Sequence, residues 1–140
     1  GYEFKGYLAT VNTINAYFKH SMDLLNREIR DDVFTRNGPV YTKIKDEVPA
    51  KYGIGAQVKN SLVADGCVVE GTVENCILFR GVRVAKGAVA RNCVIMQNSE
   101  IQEKGLIENI ILDKEVLIRR DKRLIGQASY PIVIGKKIII

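Results

Sequence analysis

Phosphate recognition is the chemistry for which this sequence carries the most suitable side chains. Arg80, Arg83, Lys86 and Arg91 fall in one short stretch, and Arg119, Arg120, Lys122 and Arg123 in another. Guanidinium forks match phosphate oxygens and ammonium groups add point charge, so both groups are candidate anion sites. The competing reading is a set of solvated corners. Acid–base chemistry has less to work with. The single histidine, His20, lies in a segment of helical periodicity, where a surface role is the ordinary one. Cys67, Cys76 and Cys93 contain no C-x-x-C pair and are odd in number, which argues against a disulfide framework. They read as reduced core thiols, with Cys76 and Cys93 packed as small apolar groups rather than metal ligands. No catalytic, cofactor-binding or metal-ligating residue is assigned.

What would position these side chains is a repeat. Asn60-Ser61-Leu62-Val63 returns as Asn75-Cys76-Ile77-Leu78, Asn92-Cys93-Val94-Ile95 and Asn109-Ile110-Ile111-Leu112, at spacings of 15, 17 and 17 residues. Each unit holds two further short alternating segments, such as Val82-Arg83-Val84 and Ala88-Val89-Ala90. Strands this short cannot stand alone and must stack into a solenoid. Alternation points Ser61, Val63, Cys76, Leu78, Cys93, Ile95, Ile110 and Leu112 inward. The asparagines then form one column about 4.8 Å apart, suited to left-handed corners. Leu62, Ile77, Val94 and Ile111 form an outward apolar stripe, an interface candidate awaiting a domain or a subunit.

The predicted fold is all-β, a parallel β-helix over residues 50–140, preceded by one N-terminal α-helix. Ile14, Tyr17, Phe18, Leu24, Leu25 and Ile29 recur at helical spacing and predict that helix over about 13–30, capped by Asn12 or Thr13. Residues 31–49, with Asn37-Gly38-Pro39 and Pro49, read as a linker. Ala50 to Lys59, with Ile54 and Val58, reads as an incomplete first coil. The last strand either pairs across an interface or folds back over the final coil. The net charge of +5 is spread along the 140 residues, a weak signal for nucleic acid. No apolar run is long enough for a membrane span. A cytoplasmic protein with no nucleic-acid or membrane partner is expected. Because Gly1-Tyr2 runs at once into an organised segment, the chain is expected to be cut from a longer protein.

Gly6-Tyr7-Leu8-Ala9-Thr10-Val11-Asn12-Thr13 followed by Met22-Asp23-Leu24-Leu25 resembles the end of the catalytic domain of bacterial glucose-1-phosphate adenylyltransferases (ADP-glucose pyrophosphorylases), which typically carry Gly-Tyr-Trp-x-Asp-Val-Gly-Thr there. Gly38-Pro39-Val40-Tyr41-Thr42 and the repeats are similar to the connector and β-helix of that family. The resemblance implies that residues 1–30 are the tail of a nucleotidyltransferase domain and that the solenoid is left-handed and of hexapeptide type. It further implies a role in making ADP-glucose from ATP and glucose 1-phosphate for glycogen synthesis. In the family a magnesium ion is held in the catalytic domain, and the motif's aspartate helps to hold it. Here Thr10 stands in its place, and a hydroxyl is a poor substitute for a carboxylate on Mg²⁺. The departure is similar to the non-catalytic, D-type branch of the family. It implies an assembly or regulatory subunit partnered by its own N-terminal domain and, in a heterotetramer, by a catalytic subunit, with a phosphorylated sugar as effector. Hexapeptide acyltransferases share the coil but need a histidine base; they and a purely structural oligomerisation module are the alternatives.

Overall fold

A computed structural model describes residues 14–26 and 49–140. Each coil contributes three short strands. The first holds β1 (Lys51–Tyr52), β2 (Gln57–Lys59) and β3 (Leu62–Val63). The second holds β4 (Val68–Val69), β5 (Thr72–Glu74) and β6 (Ile77–Leu78), and the third β7 (Arg83–Val84), β8 (Val89–Arg91) and β9 (Val94–Ile95). The fourth holds β10 (Glu100–Ile101), β11 (Leu106–Glu108) and β12 (Ile110–Leu112), and the last β13 (Leu117–Ile118), β14 (Arg123–Ile125) and β15 (Ile132–Ile134). Like strands stack in parallel into three five-stranded sheets. The architecture is a parallel β-solenoid.

The inward positions are those that alternation predicts. Cys76, Leu78, Cys93, Ile95, Ile110 and Leu112 are buried, joined by Val69, Val73, Val84, Ala90, Ile101, Ile107 and Ile118 from the other sheets. Ser61 and Val63 are only half-buried, because among the described residues the first coil has a neighbour on one side alone. That coil is complete rather than partial. Ile54 is 103% exposed at the tip of its turn beside Gly55, whose φ of 86° turns the chain. The chain end continues the solenoid: β15 pairs with β12, and Ile139 bridges Leu117 in parallel.

The asparagine column is a left-handed corner throughout, with φ of 45°, 53°, 52° and 55° at Asn60, Asn75, Asn92 and Asn109. A β-carbon makes this region costly for most residues, whereas Asn tolerates it and Gly enters freely. We expect Asn75→Ala to lower stability by about 1 kcal/mol or more while Asn75→Gly stays within about 0.5 kcal/mol of the parent; equal losses in urea titrations of the two variants would show that the amide, not the backbone, is what matters there.

Helix α1 (Ile14–Asp23) is shorter than the predicted 13–30. Leu24, Leu25 and Asn26 donate their N–H groups to the carbonyls of Ser21, Met22 and Asp23, three residues back, so the last turn tightens and the helix ends. Residues 27–30, the proposed caps Asn12 and Thr13, and the linker 31–48 lie outside the described residues.

Candidate functional site

The outward stripe is where α1 docks. Phe18 is buried against Val94 and Ile111, with Tyr17, Met22, Phe79 and Met96 packed around them. Ile77 is also buried, whereas Leu62 at one end is half-buried and Val133 at the other is 45% exposed. The cover for the centre of the stripe thus comes from this chain's own helix. Amphipathic spacing on α1 and a flat apolar sheet face supply complementary surfaces, and burying both removes the association hazard of an open stripe.

Where the last turn of α1 meets the asparagine corner, a groove of about 560 Å³ opens, lined on one side by Phe18, Met22 and Leu25 and on the other by the four asparagines. Asn60 Nδ2 donates to Asn75 Oδ1 at 2.8 Å, and Asn109 Nδ2 donates to the Gly126 carbonyl at 3.1 Å. The Oδ1 of Asn109 is buried without a hydrogen bond. From sequence this column is a corner device and nothing more, because nothing in the repeat reveals which face the helix approaches.

The first cationic group does not converge. Arg83 points outward from β7, beside Val68 and Glu100. Arg91 projects from β8 in another sheet, where its Nε lies 3.3 Å from Glu74 Oε2, a surface pair of small energetic weight. Arg80 sits at the turn before β7, and Lys86 at a different corner, between β7 and β8. The second group is more compact. Arg119, Arg120 and Lys122 form the turn between β13 and β14, and Arg123 opens β14. One coil apart in the same corner lie Lys86, Glu103 and Arg120; Arg120 reaches Glu103 Oε2 at 3.2 Å. Lys104, in the left-handed conformation, adds a cation to this corner. The stacking offset between coils is the signal that links Lys86 and Lys104 to the second group. Thr10 and the Gly38–Thr42 motif lie outside the described residues. His20 is on α1 with its Nδ1 3.6 Å from Asp23 Oδ2.

The three thiols are buried and hydrogen-bonded to backbone: Cys67 Sγ to Phe79 O at 3.0 Å, Cys76 Sγ to Glu74 O at 3.2 Å and Cys93 Sγ to Arg91 O at 3.0 Å. Among the described residues no group of three side chains could hold a metal ion. Burial pushes the Cys67 thiol above its ordinary value of 9.0, and burial together with the neighbouring Cys76 pushes Cys93 well above it. At Cys76 burial acts upward but the hydrogen bonds with Cys93 outweigh it and lower the thiol, so the linkage is that of Cys67 and Cys93, where the folded state holds protons that the unfolded chain releases. Stability from Cys67 and Cys93 is complete below about pH 9 and declines as the pH rises towards their folded values, by up to about 1.4 kcal/mol per pH unit for each. Urea midpoints measured upward from about pH 8 should fall, and Cys93→Ala should flatten the fall; an unchanged slope would remove Cys93 as a cause.

Three parallel sheets built from repeats of this length, with an asparagine corner and inward small and branched residues, define a hexapeptide-type solenoid. Residues 47–129 match the family model of the GlmU-like C-terminal hexapeptide, and the chain belongs to that family. It is also similar to longer proteins: 48% identical over 138 residues to the glycogen biosynthesis protein GlgD of Bacillus subtilis (strain 168), covering 99% of this chain and 40% of that protein. Over 124 residues it is 37% identical to a glucose-1-phosphate adenylyltransferase of Acetivibrio thermocellus, covering 88% of this chain and 29% of the relative. A 69-residue stretch is 55% identical to the GlgD of Geobacillus stearothermophilus, covering 49% of this chain and 20% of that one. The chain therefore spans two fifths or less of the length of these relatives. No helix among the described residues is long and apolar enough to cross a membrane.

Proposed function

We propose that this chain is the solenoid portion of a glucose-1-phosphate adenylyltransferase subunit of the D type, acting in glycogen biosynthesis through assembly with a catalytic subunit rather than through catalysis of its own. The observation that carries the reading is the 48% identity to a glycogen biosynthesis protein across nearly the whole chain. Thr10 at the metal-motif position supports the non-catalytic part of it.

The surface offered for assembly is the last described coil of the solenoid, where Ile125, Ile132, Val133, Ile138 and Ile139 are exposed among the described residues. Arg119, Arg120, Lys122, Arg123, Lys136 and Lys137 surround that apolar end, so two identical ends would bring like charges together, and a partner solenoid with an acidic rim fits better.

A phosphorylated effector at the corner of Lys86, Lys104, Arg119 and Lys122 is a second reading, favoured by the compactness of that corner relative to the dispersed Arg80, Arg83 and Arg91. Its probe is glucose 1-phosphate, whose affinity should fall in Arg119→Gln/Lys122→Gln.

The assembly reading is tested by measuring ADP-glucose formation from ATP and glucose 1-phosphate in the presence of magnesium, using the complete protein that carries this solenoid, alone and mixed with a glucose-1-phosphate adenylyltransferase from the same cell. Activity that appears or rises only in the mixture supports it. Strong activity of the protein alone, or indifference to mixing, overturns it.

A further inference from the structure

The groove between α1 and the asparagine corner has a composition that selects for one kind of ligand. Its volume of about 560 Å³ is that of a small-molecule site. One wall presents a carboxamide from each of four successive coils, Asn60, Asn75, Asn92 and Asn109. Each carboxamide both donates and accepts hydrogen bonds, which is what a row of hydroxyl groups needs. The facing wall carries the apolar Phe18, Met22 and Leu25, a surface for C–H faces.

Charge narrows the choice. Among the described residues no cation lines the groove, and the only formally charged lining residue is Asp23, on the last turn of α1. The carbonyl end of a helix is its negative pole, so phosphates and carboxylates are disfavoured here, in contrast to the cationic corner. Asn109 supplies a further indication: its Oδ1 is buried in this lining with no hydrogen-bond partner, an acceptor whose desolvation is uncompensated. Four amides at ~4.8 Å spacing form a row about 14 Å long, which suits an extended oligosaccharide of about three rings.

We propose that this groove binds a neutral carbohydrate, with the amides of Asn75, Asn92 and Asn109 taking hydroxyl groups and Phe18 and Met22 taking the C–H face of a ring. The proposal does not depend on the adenylyltransferase reading.

The left-handed backbone of the column supplies a clean variant. Asn92 has a φ of 52°, so Asn92→Gly removes the amide while leaving the backbone conformation accessible. Calorimetric titration of the complete protein with maltotriose, and with glucose 1-phosphate as an anionic counter-probe, tests the idea. Saturable binding of maltotriose is expected, weakened about tenfold in Asn92→Gly, as for one lost hydrogen bond, with the melting temperature unchanged. Asn75→Gly replaces it should Asn92→Gly fold poorly. Absence of maltotriose binding, affinity unchanged in both glycine variants, or displacement of maltotriose from the groove by glucose 1-phosphate would each overturn the proposal.

Discussion

Replacing Gly71 by alanine is expected to lower the stability of the solenoid by roughly 3 kcal/mol, the upper range for forcing extra volume into a packed interior. The second coil is two residues shorter than those that follow, and the structure places the deficit at one corner: only Glu70 and Gly71 join β4 to β5, where Ala85 to Ala88 join β7 to β8. To cut the corner the chain runs against its neighbour, and a β-carbon at residue 71 would meet the carbonyl oxygen of Ala88 and lie 2.6 Å from that of Ala85. Neither oxygen can retreat cheaply, since Ala88 O accepts from Thr72 N at 2.9 Å and Ala85 O is backbone of the next coil. A fall in the urea midpoint with an unchanged slope would mark a loss of stability in the same folded state. Substituting the four residues of the Ala85–Ala88 corner for Glu70-Gly71 should be far milder, because the first and third coils both carry four-residue corners at that position. Should Gly71→Ala unfold at the parental urea concentration, the close approach is not what demands glycine.

Val94→Lys should detach α1 from the solenoid. Val94 is fully buried beneath Phe18, and leaving an unpaired charge there would cost on the order of 3–5 kcal/mol with the helix in place. Undocking a ten-residue helix that rests on a few apolar contacts is the cheaper response. Hydrogen exchange separates the two: α1 amides should lose protection while β6, β9 and β12 keep theirs. Equal protection of α1 in parent and variant would mean that the helix is not held by this stripe.

These two sites also show what a linear sequence discloses about such a fold. The repeat of Asn60, Asn75, Asn92 and Asn109 makes coil register visible, and alternation within each unit identifies Leu78, Ile95 and Leu112 as interior, because stacked strands leave no freedom in which face is buried. The shortened second unit is visible as a spacing, but not the corner that absorbs it. The end of α1 is hidden because Leu24 and Leu25 continue the apolar periodicity, and three-residue hydrogen bonds in the last turn leave no trace in that pattern. Among the cations, proximity in sequence means little when successive strands face different ways, so Arg83 and Arg91 separate while Lys86 comes into register with Glu103 and Arg120.

The docking of Phe18 on Val94 and Ile111 has a kinetic consequence. Within the solenoid, hydrogen bonds join residues about one coil apart in sequence, so coils can form anywhere and spread to neighbours with little loop entropy lost at each step. The contact of Phe18 with the third and fourth coils instead closes a loop over much of the chain, and it has no surface to settle on until those coils exist. Refolding should therefore proceed at the parental rate in Val94→Lys, with the substitution registering only in how fast the helix is released; a slower refolding rate would place α1 in the nucleus rather than at the end of the process.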